Sequence, residues 1–153
     1  MEYKIEGPLL EQSALCAPIL RLLPEWFGIE DALLQYEREI ESLPTFLAKA
    51  GEDALGFLTI KQHLPRAAEV LVMGVVPAAH GKGIGRALMA AAEAHLQAQG
   101  IEYLQVKTLG PSNPDPGYAK TRLFYEAMGF RPLEEFKQIW DENNPCLILV
   151  KRL

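Results

Sequence analysis

The sequence predicts an α/β fold of the α+β kind, in which a mixed sheet carries helices on its faces. Three observations predict it. Strand and helix periodicities follow one another in the order β-α-α-β-β-β-α-β-α-β-β. A near-continuous apolar run, Glu69 to Val76, has the makeup of a strand covered on both faces. That run leads through a glycine-rich turn into a strongly amphipathic helix, Gly83 to Gln99.

Tyr3 to Ile5 reads as a short first strand. From about Leu9 to Leu23 the apolar residues Leu15, Ile19, Leu22 and Leu23 recur at helical spacing. Pro24 to Gly28 breaks that pattern, and a second helix follows with Ala32, Leu33, Tyr36 and Ile40 on one face. Thr45 to Ala50 and Ala54 to Lys61 are apolar runs joined by Gly51-Glu52-Asp53, the signature of a hairpin. Within the third run Gly74 marks a bulge or a close backbone approach. Simple alternation there puts Glu69, Leu71, Met73 and Val75 on one side. The long helix carries Ile84, Ala87, Leu88, Ala91, His95 and Ala98 as its apolar stripe, and Gly100 closes it. Tyr103 to Lys107 is a strand, and Gly110 to Gly117, with three prolines, is a loop. Lys120 to Met128 is a helix ended by Gly129. Its expected stripe is Leu123, Phe124, Ala127 and Met128, with Tyr125 off the centre. Two last strands, about Phe130 to Gln138 and Leu147 to Lys151, turn at Asp141 to Pro145.

With 153 residues, the chain is expected to form a single domain over 1–153. Fifteen Lys and Arg against 20 Asp and Glu leave a net charge of −5, the wrong sign for a phosphate-backbone binder, so no nucleic acid partner is expected. No basic segment precedes an apolar run, and no apolar stretch is long enough to span a bilayer, so a cytoplasmic protein without membrane contact is expected. Cys16 and Cys146 stand in neither metal nor redox spacing. They read as core thiols, and no metal is expected.

The chemistry concentrates in Val75-Val76-Pro77-Ala78-Ala79-His80-Gly81-Lys82-Gly83-Ile84-Gly85-Arg86. Here a buried strand leaves through Pro77 into a glycine turn where a helix starts. Glycines let the backbone come close to a ligand, and the free N–H groups of a helix start attract an anion. A pyrophosphate is the natural guest, with Lys82 and Arg86 adding positive charge. A glycine turn that holds no ligand is the competing reading. The P-loop pattern fails because Gly81-Lys82-Gly83-Ile84 lacks the hydroxyl that holds magnesium. The Rossmann pattern fails because Arg86 or Leu88 falls where its third glycine belongs.

His80-Gly81-Lys82-Gly83-Ile84-Gly85 resembles the coenzyme A signature of the GCN5-related N-acetyltransferase (GNAT) family, Gln/Arg-x-x-Gly-x-Gly/Ala, with His80 in place of Gln or Arg. Phe124-Tyr125-Glu126-Ala127-Met128-Gly129-Phe130 resembles the Tyr-x-x-x-Gly-Phe helix end of the same family. The likeness in element order runs from about Ala54 to Leu153. It implies a mostly antiparallel sheet of about seven strands with about four helices, in which two central parallel strands splay apart. It also implies an N-acyltransferase that moves an acetyl group from acetyl-CoA to a small-molecule or peptide amine by direct attack in a ternary complex. Similar proteins often pair as homodimers, and no feature of the chain decides this.

The resemblance carries over residue by residue. Met73, Gly74 and Val75 would line the pantetheine arm, and Gly81, Lys82, Gly83, Ile84, Gly85 and Arg86 the pyrophosphate. Tyr118 stands where many relatives have an asparagine that touches the coenzyme. Tyr125 would protonate the leaving thiolate, and a phenol suits that step because its pKa lies near that of a thiol; a half-buried packing tyrosine is the competing reading. Glu69, eleven residues before His80, matches the strand glutamate that some relatives use as the base; a strand-end glutamate in solvent is the competing reading. Gln105 occupies the alternative place for a carboxylate and cannot serve. His63 reads as a solvent residue in a turn beside Pro65, and His95 as packing. The acceptor is expected at the Gly110–Gly117 loop and the Pro24–Gly28 break, with Asp115, Trp26 and Phe27 as candidate contacts; a turn-stabilising role for Asp115 and apolar anchoring of the helix connection by Trp26 and Phe27 are the competing readings. A coenzyme A sensor without turnover, or a protein-interaction domain of the same fold, are the rival functions.

Overall fold

A computed structural model describes residues 2–153. Seven strands form one sheet in the order β1-β2-β3-β4-β5-β7-β6. They are β1 (Lys4–Leu9), β2 (Thr45–Ala50), β3 (Asp53–Leu64), β4 (Ala67–Val75), β5 (Tyr103–Leu109), β6 (Arg131–Asp141) and β7 (Asn144–Arg152). The helices are α1 (Ser13–Arg21), α2 (Glu30–Ser42), α3 (Ile84–Ala98) and α4 (Pro116–Ala127). Every strand pair is antiparallel except β4 with β5, which is parallel.

Strand alternation divides the core into two layers. In β2, Phe46 and Ala48 face α3 while Leu47 faces α1 and α2. In β3, Leu58 faces α3 and Phe57 the other layer. Thr45 and Thr59, cross-strand neighbours and both fully buried, satisfy each other through a hydroxyl–hydroxyl bond of 2.8 Å.

The expected stripe of α3 is rotated. Its buried residues are Ile84, Leu88, Met89, Ala92 and Leu96, with His95 on the flank against Phe46 at 5.8 Å between rings, and Ala98 exposed. The larger Met89 and Leu96 gain more from burial than the alanines and take the core-facing positions. In α4 the expected stripe is also shifted: Leu123 is exposed and Tyr125 is the buried residue of the helix. Helix α4 starts earlier than its loop-like prolines suggest. Asp115 caps it by accepting from the Gly117 and Tyr118 N–H groups, and Pro116 takes the first-turn position where its missing N–H costs nothing.

Two irregularities position the site. The parallel pairing of β4 and β5 stops at Val70 opposite Val106, although both strands run on, β4 along β3 to Val75 and β5 along β7 to Leu109. The two strands therefore splay. In β4, Val70 and Val72 face the consecutive residues Ile60 and Thr59 of β3, so Leu71 is an extra residue, a β-bulge. The bulge lies three residues before Gly74, where the sequence suggested it. It reverses the expected facing: Ala68, Val70, Met73 and Val75 pack in the α3 layer, whereas Leu71 and Val72 pack in the α1–α2 layer. Glu69 thus lies on the opposite face from Met73 and Val75.

Candidate active site

The splay opens a cleft of about 710 Å³ that passes through the sheet. Ile84, Phe124 and Tyr125 bound it on one side, and Leu23, Phe27 and Tyr36 on the other. Met73, Gly74 and Val75 form its β4 wall. Beyond Val70 that edge has no strand partner, so its backbone groups, apart from the Val75 carbonyl that His80 engages, are available to an extended ligand.

At the end of β4 the chain makes a single turn of 3-10 helix, Pro77–Ala79, and then the glycine turn. Gly81 and Gly83 adopt φ of 76° and 80°, the left-handed region that costs other residues about 1–2 kcal/mol. A Cβ on either would meet nothing within 4 Å, so the turn presents bare backbone to open space. No side chain among the described residues caps the start of α3. Its leading N–H groups and the Arg86 side chain therefore suit an anion of pyrophosphate size. Gly85 has a different reason to be glycine: its Cβ would lie 3.2 Å from the Phe124 ring, so it lets α3 pack against α4. Ile84 is core, and Lys82 lies in the turn with its side chain outside the cleft wall. His80, in the place of Gln or Arg, turns its ring back to the Val75 carbonyl, with Nε2 at 2.7 Å.

Tyr125 is 6% exposed and sits edge-on to Phe124 and Phe130 at 5.4 and 5.7 Å between rings. Burial, reinforced by Tyr36 and Tyr118, holds its phenol well above the ordinary range, so it stays protonated. No other described residue hydrogen-bonds its hydroxyl, and the residue lines the cleft.

Glu69 is not the solvent residue of the competing reading, for it is 3% exposed. Its Oε1 lies 2.7 Å from Nε2 of His63 and 3.5 Å from Nζ of Lys107. His63 is exposed, as expected, but it lies in no turn; it belongs to β3, which extends further than expected, and its ring is tied to the carboxylate. Tyr36 of α2 stands near this group: burial first, and then the charge of Glu69, raise its phenol pKa. Gln105 is the direct β5 neighbour of Glu69.

The acceptor candidates separate. Trp26 and Phe27 line the cleft. Trp26 donates from Nε1 to Thr121 Oγ1 at 3.0 Å, its carbonyl accepts from the Tyr118 hydroxyl at 2.7 Å, and its ring meets His80 edge-on at 6.5 Å. The Tyr118 hydroxyl is therefore committed to protein, and burial pushes its pKa up to about 12. Asp115 and the proline loop do not line the cleft. Asp115 is the α4 cap, and the loop is tethered outward, Ser112 to Glu135 and Asn113 Nδ2 to the Asn143 carbonyl at 3.1 Å. Of the two roles open to Asp115, the amine contact is thus corrected and the turn-stabilising one holds: its Oδ1 accepts two backbone N–H groups, and it lies outside the cleft wall. The sequence reading missed Tyr36, Lys107 and Trp140. An exposed tryptophan beside a strand turn was the one available hint.

Among the described residues no cluster of His, Cys, Asp and Glu is suited to a metal ion, and no helix is long and apolar enough to cross a membrane. Cys16 and Cys146 are buried free thiols, and burial raises their pKa to about 12 and about 11.

This combination of splayed parallel strands, glycine turn and through-sheet cleft defines a class of acyl-transfer domains. The chain belongs to the GNAT acetyltransferase family, whose domain model matches residues 41–132. A mycothiol acetyltransferase of Beutenbergia cavernae is 35% identical over 94 residues, 59% of this chain and 30% of that protein. One from Actinosynnema mirum is 30% identical over 106 residues, 68% of this chain and 32% of that protein. The chain thus spans about a third or less of the length of these relatives. A GNAT-family protein of Desulfovibrio desulfuricans superposes with a TM-score of 0.82 at 19% identity, covering 99% of both chains. A PaiA N-acetyltransferase of Thermoplasma acidophilum, solved with coenzyme A, superposes with a TM-score of 0.75 at 19% identity, covering 100% of both.

Proposed function

We propose that residues 1–153 act as one domain that transfers an acetyl group from acetyl-CoA to an amine, both substrates being bound together. The observation that carries this reading is the disposition of Tyr125 and Glu69. The sheet splays between them, with a protonated phenol on the α4 side and a buried carboxylate on the α2 side. Direct transfer needs an acid for the departing sulfur and a base for the arriving nitrogen, and those two groups approach the carbonyl carbon from different sides.

The backbone of Gly81 to Arg86 holds the pyrophosphate, and the free edge of Met73 to Val75 holds the pantetheine amides. The glycine turn fits this role because it leaves open space where side chains would stand. Trp26 and Tyr118, joined by their hydrogen bond, bridge the α1–α2 connection to α4 across the cleft and shield it from water. Glu69 removes a proton from the acceptor ammonium through water, since its side chain lies just behind the cleft wall. The neutral nitrogen then attacks the thioester carbon, the carbon–sulfur bond breaks, and Tyr125 gives its proton to the sulfur. The tyrosine regains a proton from solvent before the next turnover.

The test is incubation with acetyl-CoA and a panel of amines, following free thiol and identifying the product by mass spectrometry. Thiol release that depends on an amine and yields its N-acetyl product is the expected result. A raised melting temperature with acetyl-CoA but no turnover with any amine would instead assign a coenzyme sensor.

A further inference from the structure

Although the chain as a whole is acidic, its cleft is not. Among the described residues that line it there is no Asp or Glu, while Arg86, Lys107 and Lys120 all do. Arg86 opens α3 at the glycine turn and Lys120 lies on α4. Lys107 is in a different place. It is the residue after Val106, where the parallel pairing ends, and alternation in β5 turns it away from Leu104 and Val106 toward the α2 face. It therefore stands one residue from the splay point, on the side from which the nitrogen must come.

The ammonium of Lys107 is under-used. Its nearest carboxylate oxygen, Oε1 of Glu69, is 3.5 Å away, beyond the usual length of a charge-assisted N–H···O bond, and that oxygen is already engaged by His63 at 2.7 Å. The pair is a loose ion pair, and the lysine keeps its three donors for a ligand. Around it the wall is aromatic and apolar: Phe27, Tyr36 and Trp140, with Leu71 and Leu23. A second ammonium on the acceptor would meet a like charge there, and the one carboxylate beside it, Glu69, lies behind the wall and is already engaged by His63 and Lys107. A carboxylate would find a cation held only by that loose ion pair.

We propose that the acceptor is a free α-amino acid with an apolar or aromatic side chain. Its carboxylate binds Lys107, its side chain lies against Tyr36 and Trp140, and its amine faces the splay point. The position of Lys107 selects this class. A cation beside the reacting centre matches an anion one carbon from the nucleophilic nitrogen, not one at the far end of a long molecule. Polyamines and aminoglycosides, which carry several cations, are disfavoured by the same charge.

This inference rests on the acetyl-transfer reading, and its test separates the two. In one arm, the turnover of L-phenylalanine, L-leucine and L-tryptophan is compared with that of phenylalaninamide, spermidine and kanamycin. In the other, calorimetry measures the binding of N-acetyl-L-phenylalanine and its amide, with coenzyme A present, which needs no turnover. The acids should be favoured over the amide by about 10–100-fold in KM or Kd, the range for a hydrogen-bonded charge. Lys107→Gln should erase that preference while leaving the KM for acetyl-CoA within about twofold, and Lys107→Arg should retain most of it. Preference for spermidine or kanamycin, equal handling of acid and amide, or an acid preference that survives in a folded Lys107→Gln protein would each overturn the proposal. Lys107-dependent binding of the acid without any acetyl transfer would sustain the acid site and refute the acetyltransferase reading. Transfer confined to cationic amines would do the reverse.

Discussion

On the proposed reading, the coenzyme end and the acceptor end of the cleft are built from different materials. The coenzyme end is made of backbone: two glycines at positive φ, the uncapped start of α3, and the unpaired edge of β4. The acceptor end is made of side chains: Lys107 of β5, Tyr36 of α2 and Trp140 of β6 line it, with Glu69 of β4 and His63 of β3 behind Lys107. A backbone site comes from one continuous stretch and serves any acyl-CoA. A side-chain site is assembled across the fold, and each member can be exchanged without disturbing the strand beneath it. This difference explains how one scaffold can keep its donor and vary its acceptor.

The largest expected effect breaks the coenzyme end alone. Gly83→Asp puts a side chain and a negative charge into the open space where the phosphates belong. It should abolish both the acetyl-CoA-induced rise in melting temperature and turnover. Its cost to stability should be only about 1–2 kcal/mol, from the left-handed φ. An unaltered ligand shift in the folded variant would remove the coenzyme from this turn.

Tyr125→Phe acts between the two ends. It deletes one hydroxyl and keeps the ring against Phe124 and Phe130. If the phenol protonates sulfur, kcat and kcat/KM fall together by about 10²–10⁴-fold with coenzyme affinity little changed. Because burial raises the phenol pKa above its ordinary 10.0, the acid form persists as pH rises through that value. The wild-type kcat profile should then show no alkaline loss from this group up to pH 10, and a loss centred below it would contradict the assignment.

Glu69→Gln tests the acceptor end. The amide can still accept from His63, so the cluster keeps its shape while losing its basicity. A drop of about 10² in kcat/KM is expected, greatest at low pH where free amine is scarcest, with the KM for acetyl-CoA constant. Activity within a few-fold of wild type across pH would hand the proton to water. The smallest effect sharpens the comparison at the bridge between the ends. Trp26→Phe keeps an aromatic wall but deletes the N–H that donates to Thr121, whose hydroxyl keeps its own bond to the Gly117 carbonyl; the lost bond should cost about 1 kcal/mol in a denaturant melt. A loss several times larger would make the bridge a main support of the fold.

Much of the fold was legible because it is local. Strand and helix periodicity gave all eleven elements in order, and the glycine turn into α3 was legible because positive φ, a bare backbone and a helix start are properties of adjacent residues. The facing of Glu69 was not legible. Alternation placed it with Met73 and Val75, and the extra residue Leu71, which appears only when β4 is laid against β3, reversed that. The partners of Glu69 were hidden for the same reason: His63 and Lys107 lie on two different strands, and their meeting depends on register. Asp115 stayed open between an amine contact and a turn-stabilising role because the two look alike in a proline loop until the helix is seen to begin at Pro116. The sequence by itself determined the order of elements, the glycine turn and the tyrosine at the end of α4, which short-range sterics and periodicity dictate. Only the tertiary structure decided which side of the sheet each charged group faces, because facing depends on strand register and on a single bulge, and one residue of slip carries a side chain to the other face.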